Sequence, residues 1–430
     1  MKFFKKDKTN INTADKTQEN IPMEYIVGSD VKKIKKNRKE NVSDEILGLG
    51  NTTNLENDGP KKCIGCGKQL QTIDDTRPGF VKNIEIQSYC FRCFRIKHYN
   101  RLIEYEIDDS DFIEVLKQIN NSPKKIRYYY VVDVFDFPGS RIKWLEELIA
   151  QKEVIILINK IDLIPKQINK MKIMNYAKKF FTDSPIVNPK FILTSSMKLD
   201  YVFTLLKELK SINYDQYIVG ISNAGKSSLI NACLKENQQI PSIVTSKYVN
   251  TTLDKIKINF TNNNYVYDTP GLVKKHHIAS TTTSNYWDFF FFKKEIKQIT
   301  FQLLPNQSIF FGGLAWFSFY GHNKNDSSKN KQQKTSFHFY TNKQMPLHRT
   351  KTDNATNYFK KNRHNLIPKL LDPTQKFENK DFIFDDEKNI DLHISGLGWI
   401  NFKTYKGLKV SMTVPKTKEG INVVILPSIF

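Results

Sequence analysis

The chain has no uninterrupted apolar run of the roughly eighteen residues needed to cross a bilayer. Its longest greasy stretches, residues 128–134 and 154–158, are the length of single strands, so no membrane span is expected. The N-terminus lacks the apolar core of a signal peptide. Asp7, Asp15, Glu19 and Glu24 among its lysines also depart from the acid-poor pattern of a transit peptide. The expected compartment is the cytoplasm of a bacterium, with an organelle as the alternative. Acidic residues are in deficit, 44 against 66 Lys and Arg, which leaves a formal net charge of +22 over 430 residues. Such an excess points to a polyanionic partner, above all nucleic acid. Compositional drift in a chain rich in Lys, Asn and Ile is the competing explanation. Cysteine is scarce, and four of the five fall into two Cys-x-x-Cys pairs, Cys63/Cys66 and Cys90/Cys93. In a cytosolic chain that spacing reads as metal binding rather than disulfide bonding. No internal repeat is present.

Residues 1–60 are polar and carry a basic cluster at 32–39; they read as a disordered tail whose lysines either touch RNA or are simply solvated. Residues 61–105 form the cysteine module. From 106 to 280, helical and strand patterns alternate. Helices are expected at 111–119, 144–150, 168–181, 201–209 and 228–234, and strands at 126–134, 154–158, 190–193, 217–219 and 265–267. Alternation of this kind implies a mainly parallel sheet with helices on both faces. From 281 to 430 the composition turns strand-rich, at 298–303, 308–319, 335–341, 392–402 and 421–426, and reads as an α+β domain. Residues 321–334 (GHNKNDSSKNKQQK) interrupt it as a polar surface loop.

The strongest signal is GISNAGKS at 220–227, a full match to GxxxxGK[ST]. Gly220 and Gly225 permit a backbone cradle, with Ser222, Asn223 and Ala224 between them, whose N–H groups can face a β-phosphate. Lys226 can neutralise β- and γ-phosphates and Ser227 can ligate Mg²⁺, while Ser228 continues into a helix whose positive end faces the same place. DTPG at 268–271 follows a strand: Asp268 suits a water-mediated Mg²⁺ contact, and the Gly271 N–H can sense a γ-phosphate. NKID at 159–162 ends a buried strand. Asp162 can accept both guanine N1–H and N2–H₂, a pattern adenine cannot supply. Asn159 is expected at the base edge and the Lys160 stem over the ring. Thr194, Ser195 and Ser196 would support the base from the other side.

The order of these motifs is informative, because NKID here precedes the P-loop. A domain whose termini lie close together can be cut and rejoined without disturbing its site, so the arrangement reads as a circular permutation. DTPG then runs straight into residues 281–430, which suits a switch better than a metabolic enzyme. Leu272 stands where many such proteins carry a water-orienting glutamine, so intrinsic turnover is expected to be slow. Asn223 can reach the α/β-phosphate bridge and could ligate a monovalent cation; it is equally a helix-entry turn residue. Thr251 or Thr252 could add a second Mg²⁺ ligand, or both are ordinary strand content. The four cysteines suit one closed tetrahedral zinc site, with a redox dithiol as the rival, and Lys61, Lys62, Lys68, Arg92, Arg95, Lys97 and His98 flank them as candidate RNA contacts.

Together these residues resemble the YqeH family of circularly permuted GTPases, which act in small ribosomal subunit biogenesis. CFRCFRIKHYN (90–100), VVDVFDFPGS (131–140), FFGGLAWF (310–317), LHRTK (347–351) and ISGLGW (394–399) are similar to that family's pattern, and the resemblance spans roughly residues 61–430. It implies GTP and GDP as ligands, Mg²⁺, structural Zn²⁺, hydrolysis supported by K⁺ through Asn223, and the small subunit with its rRNA as partner. The sequence departs from the family at Val249-Asn250, in place of Pro-Gly, at Thr194-Ser195, in place of Ser-Ala, and over residues 281–294. A zinc-dependent RNA-binding protein that uses GTP only as a structural ligand is the alternative.

Overall fold

A computed structural model describes residues 60–75, 77–99, 110–243, 254–261, 264–272, 276–322 and 334–430. The basic cluster at 32–39, the threonines 251 and 252, and most of the polar loop at 321–334 lie outside them.

The first sheet explains the apolar runs. Its six strands lie in the order β3-β2-β1-β4-β6-β5: β1 is Arg127–Asp133, β2 Glu153–Asn159, β3 Lys190–Leu193, β4 Gln216–Gly220, β5 Ile256–Thr261 and β6 Asn264–Asp268. All pairs are parallel except β5 with β6. Because strand side chains alternate faces, a run such as YYYVV must feed two cores at once. It does: Tyr128, Tyr130 and Val132 enter one core with Val154, Ile156 and Val219, whereas Tyr129 and Val131 enter the other with Ile155, Leu157 and Ile218. Helix Leu199–Lys210 contributes Val202, Leu205, Leu206 and Leu209 to the second core, and helix Lys226–Glu236 adds Leu229, Ile230, Cys233 and Leu234. Helix Lys170–Phe180, capped where Asn169 accepts from Met171 N, covers the opposite face with Ile173, Tyr176 and Ala177.

The C-terminal region is almost entirely β. Strands β7 (Gln298–Leu303), β8 (Gln307–Phe311), β9 (Ala315–His322), β10 (Thr335–Tyr340), β11 (Leu347–Lys351), β12 (Phe377–Phe384), β13 (Asn389–Ile394), β14 (Gly398–Lys403), β15 (Leu408–Pro415) and β16 (Val423–Pro427) make two five-stranded sheets. Their orders are β16-β13-β14-β10-β7 and β11-β8-β9-β15-β12, antiparallel throughout. Phe311, Phe317, Phe337, Phe339, Phe402 and Val410 are among the side chains buried in the core of this region. Among the described residues of this region the α-helix is Ala355–Asn362; its Ala355, Tyr358 and Phe359 pack on Phe310, Trp316 and Phe377 of the second sheet. The apolar runs at 308–319 and 392–402, expected as single strands, are each hairpins. Gly312 (φ 53°) and Gly396 (φ 92°) make the turns inside them, a conformation that residues with a Cβ rarely adopt.

The described residues, 85–87 apart, form one compact unit.

Candidate functional site

Strand β4 ends at Gly220, where a Cβ would lie 2.6 Å from Val131 O, so only glycine lets the chain pass its neighbour. Asn223 (φ 63°) and Gly225 (φ 98°) then turn the backbone into a concave loop that opens on the first turn of helix Lys226–Glu236. The first turn of that helix and its positive end therefore face the loop, as anion binding requires. The Lys226 side chain folds back into it, its Nζ donating to Gly220 O and Ile221 O at 3.1 Å each. Burial pulls this ammonium down to about 8, against a smaller opposing pull from Asp268. An ammonium in such a place gains more from an anionic ligand than from carbonyl dipoles.

DTPG is stitched to that loop. Ser227 Oγ donates to Asp268 Oδ2 at 2.8 Å, and Asp268 is fully buried at the end of β6. Thr269 Oγ1 donates to Ile218 O at 2.7 Å, tying the turn to β4. Ser222 N donates to Leu272 O at 2.7 Å and Leu272 N to Gly220 O at 3.2 Å. A Cβ on Gly271 would come within 2.6 Å of Ser222 Oγ, so the turn approaches the P-loop as closely as backbone can. The Leu272 side chain points away, 2% exposed, into the core that holds Val219.

NKID meets the P-loop from the other side. Asn159, expected at the base edge, is 1% exposed and lies beneath the loop. Its Nδ2 donates to Ala224 O at 2.7 Å and its Oδ1 accepts from Thr194 Oγ1 at 3.3 Å. A buried amide has to satisfy both ends, and here it does so by clasping two loops together. The same amide lies 2.3 Å from where a Gly225 Cβ would be, which accounts for glycine there. Asp162 is oriented by Ser195, whose Oγ donates to Oδ1 at 2.6 Å. Ser196 and Ser228 lie half-buried, one after Ser195 and the other in the first turn of helix Lys226–Glu236. Lys160 adopts a left-handed backbone (φ 64°), and its Nζ pairs with Asp133 Oδ2 at 2.6 Å. Asp133 was not among the sequence candidates. The signal available was DVFD, with one acid closing a strand whose interior is the buried run YYYVV and the other three residues beyond it.

The cysteine module has little else to hold it. Its buried cluster is Cys63, Cys66, Cys90 and Cys93 with Leu70, Val81 and Ile96. The four thiol sulfurs all lie within 4.8 Å of one another and all are buried. Cys90 N donates to Cys63 Sγ at 3.2 Å, and hydrogen bonding within the cluster, from Cys63 first, pulls the Cys90 thiol far below its ordinary range. Four buried sulfurs at this spacing fit one tetrahedral metal ion. Among the described residues, Leu70, Val81 and Ile96, with Ile84 and Tyr89 packed against them, are a thin core for a module of this size. The module also clasps the parallel-sheet domain: Asp254 N donates to Cys66 O at 2.9 Å and Tyr89 OH to Ser242 O at 3.0 Å. Ser242 and Asp254 bracket the segment that carries Thr251 and Thr252, residues outside the described set. Cys233, in helix Lys226–Glu236, is buried apart from this cluster, and burial raises its thiol to about 12.

Two family models match the chain: "50S ribosome-binding GTPase" over residues 215–301 and "YqeH-like, C-terminal" over residues 334–429. "NO-associated protein 1, chloroplastic/mitochondrial" of Arabidopsis thaliana is 27% identical over 79% of this chain and 69% of its own length. GTPase Der of Mycoplasma capricolum is 32% identical over 49% of each chain. The crystal structure of YjeQ from Thermotoga maritima covers 35% of this chain and 48% of that one, with 21% identity and a TM-score of 0.25. The Bacillus subtilis protein YqeH is 30% identical over 377 residues, 85% of this chain and 98% of the relative. With its P-loop, DTPG and NKID gathered at one corner of a parallel sheet, the chain belongs to the YqeH family of GTPases.

Proposed function

We propose that this chain is a GTP-hydrolysing switch in assembly of the small ribosomal subunit, binding the subunit or its rRNA. The hydrogen bond between Ser227 and Asp268 carries the hydrolytic half of that reading. The two groups expected to hold Mg²⁺, one directly and one through water, are hydrogen-bonded to each other, which supports a single ion shared by both. The P-loop amides and Lys226 take the phosphates, and the Gly271 N–H faces the γ-phosphate. Asp162, held by Ser195, reads the guanine edge, and Lys160 covers its ring. Asn159, with Thr194, keeps the base loops against the P-loop and meets the base edge. Thr251 or Thr252 completes the Mg²⁺ shell. Mg²⁺ supplies charge neutralisation at the β- and γ-phosphates when bound. Intrinsic turnover is slow because Leu272 offers no group to orient water, and K⁺ held by Asn223 supports it.

The +22 net charge and the family support the ribosomal half. The Cys63–Cys66–Cys90–Cys93 site holds structural zinc, with no coordination position left for chemistry. The deciding experiment measures GTP hydrolysis in K⁺ and in Na⁺, with and without small ribosomal subunits. Stimulation by both is expected. Turnover indifferent to subunits would remove the ribosomal partner, and turnover indifferent to K⁺ and to Asn223→Ala would remove the cation.

A further inference from the structure

Asp133 and Asp136 leave the end of β1 three residues apart and grip different parts of the molecule. Asp133 holds Lys160, whose stem runs along the P-loop with its Cε 3.9 Å from the Cβ position of Gly225. Asp136 is 1% exposed and faces the β region. Ser395 Oγ lies 2.8 and 2.9 Å from its two carboxylate oxygens, His393 Nε2 lies 3.5 Å from Oδ1, and His277 Nε2 lies 3.9 Å from Oδ2. The short turn between the two acids is itself rigid. Asp133 Oδ1 accepts from Phe135 N at 3.0 Å, and Ser140 Oγ accepts from Asp133 N at 3.1 Å while donating to Asp136 O at 2.6 Å.

Three segments far apart in sequence meet at Asp136. His277 comes six residues after Gly271, on the chain leaving DTPG. His393 and Ser395 close the β13–β14 hairpin. Ile278 N donates to Ser395 O at 3.1 Å, and His393 Nε2 lies 3.2 Å from Phe135 O. The packing is equally close. Phe135 sits 4.7 Å from Trp399 and 3.6 Å from Phe292 between ring centroids, and a Cβ at Gly396 would lie 2.5 Å from His277 Cε1. A carboxylate this deeply buried depends on all its polar neighbours, so withdrawing any one segment leaves a charge uncompensated. Such a joint has discrete arrangements and does not deform smoothly.

The geometry points to the turn Asp133–Ser140 as the coupling element of this GTPase. Asp133 is a positioning residue for Lys160 at the nucleotide, and Asp136 latches the β13–β14 hairpin and the segment after DTPG to the same turn. The inference rests on the nucleotide-site reading above and needs no ribosomal partner. A nucleotide that fixes Lys160 and DTPG then stabilises the docked hairpin, and the coupling is reciprocal.

The test uses the full chain, a fluorescent GDP to measure affinity, and hydrogen exchange of the peptide covering residues 392–402. In the unsubstituted protein, saturating nucleotide should slow exchange there by about tenfold, within the range of ordinary allosteric coupling. In Ser395→Ala that slowing should vanish while GDP affinity stays within about threefold. Asp136→Asn should behave alike; Ser395→Ala carries the test if that variant does not fold. Asp133→Asn should weaken GDP binding and lose the slowing even at saturation. Full nucleotide-dependent protection retained in Ser395→Ala would overturn the latch. So would protection absent from the unsubstituted protein despite tight GDP binding. Failure to bind GDP at all would instead overturn the nucleotide-site reading.

Discussion

Ser227 Oγ donates to Asp268 Oδ2 at 2.8 Å, joining the last residue of the P-loop to the first residue of DTPG. The pair is formed from loops about forty residues apart in sequence, and in the proposed reading a divalent ion inserts there. Substituting either partner would then take away a ligand. Ser227→Ala and Asp268→Asn should each lower GTP turnover by about two to three orders of magnitude, the scale on which a lost charge-stabilising group acts. GDP affinity without Mg²⁺ should change far less. Phosphate release across a Mg²⁺ titration measures both effects, and a Ser227→Ala protein with unchanged Mg²⁺ dependence would contradict the assignment.

Lys226 should make nucleotide binding pH-dependent. Its ammonium is lowered from 10.5 to about 8 in the folded protein by burial, with Asp268 opposing. Between those values the unfolded chain binds the extra proton, so unliganded stability rises with pH from about 8 to 10.5, and the penalty is full below 8. Phosphates reverse the sign by restoring a partner to the charged form. GDP affinity should therefore fall as pH climbs through about 8, and calorimetry at pH 9 in buffers of different ionisation enthalpy should show proton uptake on binding. Lys226→Met should abolish the uptake. Uptake that persists in that variant would locate the proton elsewhere.

The parallel-sheet half was legible because burial on both faces forces continuous apolar strands such as YYYVV, and because phosphate chemistry demands glycine and lysine at fixed spacing. The β half was less so. FFGGLAWF and ISGLGW read as unbroken strands because their turn signals, Gly312-Gly313 and Ser395-Gly396, are embedded in apolar runs and were outweighed by them. The loop clasp made by Asn159 was hidden for a different reason. Its chemistry suits a base edge and a loop clasp alike, and only the fold brings Ala224 and Thr194 within its reach. Asp136 was invisible for want of its partners, His277, His393 and Ser395, which the fold brings together from more than a hundred residues away.

Removing the cysteine-bound metal should be felt at β5. Asp254 N donates to Cys66 O, and a Cβ on Gly67 would lie 2.5 Å from Asp254 O, so the knuckle and the strand entrance share a tight backbone contact. The ion pair of Lys62 with Asp254 beside it is solvent-exposed and adds little. A module with so thin a core should unfold when a metal held by its four cysteines is lost. Chelation should therefore speed hydrogen exchange of residues 254–258 by at least about tenfold while leaving residues 389–394 unchanged, and zinc should restore it. Cys90→Ser should reproduce the chelated state. Residues 254–258 unmoved after confirmed metal loss would show the contact to be incidental.

Restoring glutamine after DTPG should not create a faster GTPase. The idea would be attractive from sequence, since position 272 is where a water-orienting amide is expected. In the fold, Leu272 N and O are both committed to the P-loop, to Gly220 O and from Ser222 N, and its side chain lies in the core at 2% exposure. The backbone bonds fix the direction of the side chain, so a glutamine there would enter the same apolar space and leave an amide to be satisfied. That costs about 1–3 kcal/mol of stability. Leu272→Gln should thus unfold at lower denaturant and hydrolyse GTP no faster than the unsubstituted protein. Leu272→Met, close in volume and apolar, should keep most of the stability and the same turnover. A gain in turnover by Leu272→Gln of tenfold or more, on the scale of roughly 1.4 kcal/mol in the barrier, would mean that the side chain swings out to the γ-phosphate and that the buried position is not the working one.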